Sequence, residues 1–120
     1  MKRSQEGPLT IILTDINEVE LRSAFSTLRG SYPNANIHMY PMDVTSETII
    51  CDTAKDIVGL GLRVDILINN AAINPTANSL SDNERTTRLE NFSLDRWSLE
   101  LQVGLTGAFL CSKIFGTAMA

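Results

Sequence analysis

The chain has 120 residues, with ten Lys and Arg against fourteen Asp and Glu and a net charge of −4. Nucleic-acid-binding domains usually carry a basic face, so this balance argues against a nucleic-acid partner. Two cysteines and one histidine exclude a disulfide scaffold, a cysteine-rich zinc site and a multi-histidine metal site, and they favour a reducing compartment. The apolar runs are far shorter than the ~20 residues of a membrane span, and the polar stretch after Met1-Lys2-Arg3 does not fit a signal peptide. We therefore expect one soluble, cytoplasmic domain over residues 1–120, without metal, nucleic-acid or membrane partners.

The first half of the chain predicts two units of a strand followed by a helix. Residues 9–14 form a continuous apolar, β-branched run, which is typical of a strand buried on both faces of a parallel sheet. Asn17 is expected to cap the helix that follows, and Gly30 to end it. The apolar positions of that helix are Leu21, Ala24, Phe25 and Leu28. Residues 37–40 predict a short second strand.

Thr45 or Ser46 is expected to cap the second helix, and Gly59 or Gly61 to end it. Its predicted buried stripe consists of Ile50, Ala54, Ile57 and Val58. Residues 64–68 predict a third strand, and the polar stretch 74–91 a surface loop. Ser93 then caps a long helix. The apolar face expected for it consists of Leu94, Trp97, Leu101, Leu105, Ala108 and Cys111.

Alternating strands and helices predict an α/β fold with a parallel sheet, in which ligands bind beyond the carboxyl ends of the strands. Asp15 ends the first predicted strand. An acidic residue at this place accepts hydrogen bonds from ribose hydroxyls in dinucleotide-binding folds and repels a 2′-phosphate. The alternative is an Asp that only favours the start of a helix.

The next two strand ends carry polar residues as well. After the second strand, the Asp43 carboxylate and the Val44 N–H could hold an amino-purine edge, whereas an Asx turn is the structural alternative. The third strand runs into Asn69-Asn70-Ala71-Ala72, where small side chains suit the close approach of a flat ligand. A plain polar turn is the alternative there.

These residues, in order and at similar spacing, resemble the short-chain dehydrogenase/reductase family. The resemblance is carried by Asp15, by Met42-Asp43-Val44, by the run from Asp65 to Ala72 and by residues 97–107, and it extends from about Leu9 to the C-terminus. It implies a Rossmann-type, doubly wound parallel sheet, of which this chain holds three strands and their flanking helices. It also implies a set of residues that contact the adenosine half of a nicotinamide cofactor, namely Asp15, Asp43, Val44, Asn70, Ala71 and Ala72.

The chain also departs from the family pattern. Family members begin with a strand and a Gly-rich T-G-x-x-x-G-x-G turn that holds the pyrophosphate, and this chain begins at what resembles the second strand. Ala72 stands where the family usually has Gly, and Gly104 stands where it has a catalytic Asn. The catalytic Tyr-x-x-x-Lys is absent, because neither Tyr32 nor Tyr40 has a Lys four residues later. We therefore expect a fragment that holds no catalytic residue and is inactive alone.

The resemblance implies that the intact protein passes a hydride between NAD(P) and a small molecule and so interconverts a carbonyl and an alcohol. NAD is expected rather than NADP, since Asp15 repels a 2′-phosphate and neither Ile16 nor Asn17 supplies a cation. The run from Gly104 to Lys113 resembles a branch associated with bacterial surface-sugar or flagellin modification. Family members commonly bury the outer face of the long helix against another subunit, which implies a homo-oligomer.

Two other functions are open from the sequence. A non-catalytic paralogue or interaction module would keep the sheet and lose the chemistry, which Gly104 favours. A flavodoxin-like or receiver domain also uses acids at strand ends. Receivers, however, end one strand with a phosphorylatable Asp, whereas the predicted third strand here ends in Asn69-Asn70. A longer reading frame with Gly-rich and Tyr-x-x-x-Lys segments would favour the enzyme.

Overall fold

The computed structural model describes residues 9–73 and 89–120. The chain separates into two compact units, Met1–Asp43 and Val44–Ala120. The elements in chain order are strand β1 (Thr10–Asp15), helix α1 (Glu18–Ser31), strand β2 (Asn36–Pro41), helix α2 (Glu47–Gly59), a 3₁₀ turn (Leu89–Asn91), and helices α3 (Leu94–Leu101), α4 (Gly107–Cys111) and α5 (Thr117–Met119), with π-helical segments Gln102–Thr106 and Ser112–Gly116 between the last three. No helix in the two described ranges is both long enough and apolar enough to cross a membrane.

The first unit is a strand–helix–strand motif with a parallel sheet. β1 and β2 pair in parallel, with Thr10 opposite Asn36 and Asp15 opposite Pro41, and α1 packs against both strands. This confirms the α/β, Rossmann-like fold class. The middle residues of both strands are half-buried rather than buried on both faces, because α1 covers one face of the sheet.

Helix α1 begins where the sequence predicts. The Asn17 side-chain oxygen accepts hydrogen bonds from the backbone N–H groups of Val19 (3.0 Å) and Glu20 (3.2 Å), so two of the unpaired donors of the first turn are satisfied. The helix continues one residue past Gly30, to Ser31. Its buried residue is Leu21.

The third predicted strand, at residues 64–68, is wrong for this structure. In the described part of the chain the sheet has two strands, and residues 64–68 form neither helix nor strand. Ile66 and Ile68 are both 80% exposed. A strand exists only through hydrogen bonds to a neighbouring strand, and within the described residues none pairs with this segment. The fold class is still confirmed, with two strands in residues 9–73 and 89–120 where the sequence predicted three.

Helix α2 has well-formed ends. The Ser46 hydroxyl caps it by accepting the Ile49 N–H at 3.3 Å. Gly59 is the last helical residue, and Gly61 follows with a φ of +74°, a conformation that favours glycine. The Leu62 N–H donates to the Ile57 carbonyl at 3.2 Å, which closes the C-terminus in a Schellman motif.

The core of the second unit lies between α2, α4 and the segment Ser112–Gly116. Its buried residues are Ile50, Thr53, Ile57, Gly107, Leu110, Cys111 and Phe115. The predicted stripe on α2 is therefore partly wrong: Thr53 is buried, and Val58 is 67% exposed. Thr53 can enter the core because its hydroxyl donates to the Ile49 carbonyl at 2.9 Å.

The chain ends in one continuous helix from Leu94 to Met119, called the long helix below, which comprises α3, α4, α5 and the two π-helical segments. Ser93 caps it as predicted, accepting the Arg96 N–H at 3.2 Å. The Gly107 N–H donates to the carbonyl of Gln102, five residues earlier, so the helix is widened there by a π-turn.

Most residues of the predicted apolar face of the long helix are exposed, and a different side of the helix packs on α2. Its exposed members are Leu94, Trp97, Leu101 and Leu105, whereas Ala108 is half-buried and Cys111 is buried. Periodicity located an apolar stripe correctly but could not tell that a second side of the helix is the buried one. Of the predicted loop at 74–91, residues 74–88 lie outside the described residues, and Leu89–Asn91 form the 3₁₀ turn.

Candidate functional site

Asp15 is the last residue of β1 and is exposed. Its Oδ1 atom accepts a hydrogen bond from the Asn17 N–H at 2.8 Å, and Asn17 in turn caps α1. The carboxylate thus supports the turn into the helix, which is the structural alternative weighed from the sequence. Asp15 is also exposed at the carboxyl end of a parallel strand, and ligands of α/β sheets bind at this edge.

Asp43 follows β2 by two residues, at the same edge of the sheet. The Met42 N–H donates to the Asp15 carbonyl at 3.0 Å, which continues the pairing of the two strands up to the residue before Asp43. Asp43 is half-buried. In the first unit, Asp15 therefore lies at the carboxyl end of β1, and Asp43 lies just beyond the carboxyl end of the neighbouring strand β2.

In the second unit, Val44 lies against the backbone of the long helix at Gly107. A Cβ atom placed on Gly107 would be 2.7 Å from the Val44 Cγ2 atom and 3.2 Å from its carbonyl oxygen. Such a separation is far shorter than a van der Waals contact between carbon atoms. Only glycine therefore permits this approach.

The turn residues Asn70, Ala71 and Ala72 are exposed and have no helical or strand hydrogen bonding. The residue before them is tied to the long helix, since the Asn69 Nδ2 atom donates to the Ser112 Oγ atom at 3.2 Å. The predicted residues Val44, Asn70, Ala71 and Ala72 thus belong to the second unit, and Asp15 and Asp43 to the first.

One charged side chain of the long helix pairs with a residue of α2, and the thiol of the long helix is buried. The Lys113 ammonium lies 3.0 Å from a Glu47 carboxylate oxygen, an ion pair between the long helix and the start of α2. Burial raises the pKa of the Cys111 thiol and so keeps it protonated. Ser112 and Lys113 thus each have a polar partner within the second unit, Asn69 and Glu47 respectively.

Gly104 lies in the π-helical segment Gln102–Thr106 and differs from Gly107 in its surroundings. A Cβ atom added to Gly104 would meet no atom within 4 Å. Packing therefore does not require glycine at this position. Within the described residues, no group of three His, Cys, Asp or Glu side chains is placed to hold a metal ion.

Taken by itself, the donor set of each unit suits a part of a dinucleotide. In the first unit, the carboxylates of Asp15 and Asp43 can accept hydrogen bonds from hydroxyl or amino groups. In the second unit, the small side chains of Ala71 and Ala72 suit the close approach of a flat ligand. A Gly-rich turn for the pyrophosphate is not among the described residues. The sequence did not predict the contacts of Gly107 with Val44 and of Ser112 with Asn69, although a glycine inside a helix, which costs about 1 kcal/mol relative to alanine, was a usable signal for Gly107.

Comparison with known proteins assigns the family. The family model for short chain dehydrogenases matches residues 2–120. The chain therefore belongs to the short chain dehydrogenase family.

Individual relatives agree with this assignment. The uncharacterized oxidoreductase YxbG of Bacillus subtilis is 27% identical over 104 residues, which are 86% of this chain and 34% of YxbG. The crystal structure of NAD⁺-bound xylitol dehydrogenase matches with a TM-score of 0.70 and 25% identity, covering 92% of this chain and 38% of that one. A metagenomic short-chain oxidoreductase in complex with NADP shares the fold, with a TM-score of 0.70 at 19% identity over 90% of this chain and 44% of its own. The chain thus spans about a third of the length of the curated relatives it matches.

Proposed function

We propose that this chain forms the adenosine-binding part of an NAD(P)-dependent oxidoreductase that interconverts a carbonyl and an alcohol on a small molecule. Family membership supports the reaction class. The observation that carries the proposal is the position of Asp15, exposed at the carboxyl end of β1. A nicotinamide cofactor supplies hydride chemistry when bound.

Each site residue has a distinct part in this proposal. Asp15 accepts hydrogen bonds from the ribose hydroxyls. The Asp43 carboxylate and the Val44 N–H pair with the amino-purine edge of adenine. Asn70, Ala71 and Ala72 bring backbone close to the face of the ring.

The proposed cofactor is NAD rather than NADP. The carboxylate of Asp15 would repel a 2′-phosphate, and the next two residues, Ile16 and Asn17, carry no positive charge to offset it. One solved relative is bound to NAD⁺ and another to NADP, so the family alone does not fix the choice. The preference therefore rests on this chain's own residues.

Replacing Asp15 with Asn tests the preference directly, because the amide oxygen can still accept the Asn17 N–H while the charge is removed. We expect the wild-type chain to bind NAD more tightly than NADP, and the variant to bind NAD about tenfold more weakly with its discrimination lost, since hydrogen bonds to charged groups are the stronger ones. Titration of each cofactor, followed by ¹H–¹⁵N NMR, measures the affinities. Glu18→Gln removes one negative charge from the first turn of α1 and should leave the preference unchanged. A wild-type chain that prefers NADP, or a variant that keeps the preference, rules out Asp15 as the selector.

We also propose that the protein forms a homo-oligomer through the exposed stripe of the long helix. Five large apolar side chains recur along it at helical spacing and are each at least 40% exposed: Leu94, Trp97, Leu101, Leu105 and Phe109. Contiguous apolar surface of this kind is typical of an interaction site.

Leu105→Glu is expected to shift the protein to the monomer, because it buries a charge in the proposed interface. The matched control is Val58→Glu on α2, since Val58 and Leu105 are both 67% exposed in the monomer. Sedimentation velocity over a range of concentrations measures the state of assembly. Wild-type protein that sediments as a monomer throughout, or equal effects of the two substitutions, would contradict the proposal.

Two narrower proposals each depend on a single feature of the sequence. The proposal of a substrate from surface-sugar or flagellin modification depends only on the run from Gly104 to Lys113. The proposal of a cytoplasmic location depends on the two free thiols, Cys51 and Cys111.

The alternative function, a non-catalytic family member or interaction module, is favoured by Gly104, since glycine there has no side chain to take part in a proton relay. A reading frame that includes the Gly-rich turn and Tyr-x-x-x-Lys would favour the enzyme.

A further inference from the structure

We infer that the long helix positions the two backbone segments proposed to face the adenosine, which are Val44 and the segment Asn70–Ala72. Gly107 packs against Val44, and the Ser112 hydroxyl accepts a hydrogen bond from the Asn69 side chain. This inference rests on the proposed function, because it concerns how the second unit's binding residues are held. Neither Gly107 nor Ser112 would touch the ligand. Both act as positioning residues.

The first support is steric. The Gly107 Cα lies so close to Val44 that an added Cβ would be 2.7 Å from Cγ2, 3.0 Å from Cβ and 3.2 Å from the carbonyl oxygen of Val44. Two of these three atoms are fixed to the backbone, so a rotamer change of Val44 cannot relieve the overlap. The long helix cannot easily move away from Val44 either, since Leu110 and Cys111 in its next turn are buried in the core. A larger residue at 107 must therefore displace the backbone that presents the Val44 N–H.

The second support is a hydrogen bond. Residues 62–73 form neither helix nor strand, so the regular backbone pairing that usually fixes a segment is absent there. The Asn69 side chain nevertheless donates to the Ser112 hydroxyl at 3.2 Å, across 43 residues of sequence. This contact holds the residue immediately before Asn70, Ala71 and Ala72 against the helix. Loss of the hydroxyl would release the turn without disturbing the core, because Ser112 is exposed.

Both contacts involve residues of the long helix that lie beside or within its π-helical segments. Gly107 directly follows the first π-helical segment, and Ser112 is the first residue of the second. Five residues of helix separate them by about 7.5 Å along the axis. Interruptions of this type inside helices are frequent at functional sites, because they redirect the residues beside them. One rigid element thus sets the spacing between Val44 and the turn at Asn70.

The test uses adenosine 5′-monophosphate as the probe, titrated into the purified chain and followed by ¹H–¹⁵N NMR. We expect Gly107→Ala to raise the dissociation constant about tenfold, as overpacking at a tight contact does, and Ser112→Ala to raise it about threefold. Ser112→Thr retains the hydroxyl and should restore wild-type affinity. In the free protein, Gly107→Ala should shift the Val44 amide signal, and Ser112→Ala the Asn69 side-chain and Ala71 amide signals.

Two substitutions on the same helix serve as controls. Gly116→Ala adds a methyl group where no atom lies within 4 Å, and Ser98→Ala removes an exposed hydroxyl. Both should leave the affinity within about twofold of wild type, as surface changes away from special features usually do. Thermal unfolding of every variant separates a loss of affinity from a loss of folded protein. If Gly107→Ala does not fold, the Ser112 pair of variants decides the question.

The possible outcomes are distinguishable. A wild-type chain that does not bind adenosine 5′-monophosphate overturns the proposed function, and this inference with it. A wild-type chain that binds, with Gly107→Ala and Ser112→Ala binding equally well, overturns the positioning role alone. A lower unfolding temperature with unchanged affinity also overturns it, because the residues would then be merely structural.

Discussion

Replacing Ile50 with alanine is expected to lower the free energy of unfolding of the second unit by about 2–5 kcal/mol. Ile50 is 0% exposed and lies on α2, which packs against α4 and the Ser112–Gly116 segment of the long helix. Removing its side-chain carbons loses their burial and leaves a cavity among close-packed neighbours. Chemical denaturation followed by circular dichroism measures the change.

The matched control lies on the same helix. Val58 is 67% exposed, so Val58→Ala removes apolar atoms that are largely in water, and we expect a change of within about 0.5 kcal/mol. The comparison separates packing from helix propensity, because both substitutions place alanine in α2. Equal effects at the two positions would show that α2 does not bury the side on which Ile50 lies.

Helix starts were predictable from sequence because capping is local chemistry. Asn17, Ser46 and Ser93 each accept a backbone N–H from the first turn of the helix they precede, as their positions indicated. Such a contact involves residues two or three apart. Packing with residues distant in sequence therefore changes the capping contact little.

The third strand could not be judged from sequence in the same way. Residues 64–68 have the apolar, β-branched composition of a buried strand, yet Ile66 and Ile68 are largely exposed in the structure. Composition shows that a segment is suited to a strand, but pairing depends on a neighbour distant in sequence. The same limit applies to the long helix, whose apolar stripe was visible while the side that packs on α2 was not.

In the candidate site, too, the positions set by local sequence were predictable and the contacts between distant residues were not. Asp15 and Asp43 were predictable because residues that follow parallel strands lie at one edge of the sheet whatever the rest of the chain does. The contacts at Gly107 and Ser112 join residues far apart in sequence. They follow from the particular packing of the long helix, which no periodicity specifies.

The purified chain is expected to show no dehydrogenase turnover, whatever its affinity for the cofactor. The family's proton transfer uses a tyrosine whose pKa is lowered by a lysine four residues later, and general acid–base catalysis of this type contributes about 10²–10⁴-fold to rate. The chain has two tyrosines, Tyr32 and Tyr40, and neither is followed by such a lysine. Lys113, the lysine of the long helix, is paired with Glu47. Absorbance of reduced nicotinamide, with carbonyl and alcohol substrates in both directions, measures turnover against a protein-free blank.

Turnover above the blank would contradict this expectation only if it belongs to the chain itself. Asp15→Asn provides that control, because a rate that arises at the proposed site must fall when the ribose contact is weakened, whereas a contaminating dehydrogenase is unaffected. A rate that falls in this variant would mean that a group other than a Tyr-x-x-x-Lys pair donates the proton. The two tyrosines are then the first positions to test, with Tyr32→Phe and Tyr40→Phe, since each substitution removes a phenolic hydroxyl and keeps the ring. Tyr32 is 58% exposed at the end of α1, and Tyr40 is half-buried in β2, one residue before the carboxyl end of that strand. Loss of activity in Tyr40→Phe alone would place the chemistry at the edge of the sheet where Asp15 and Asp43 already lie.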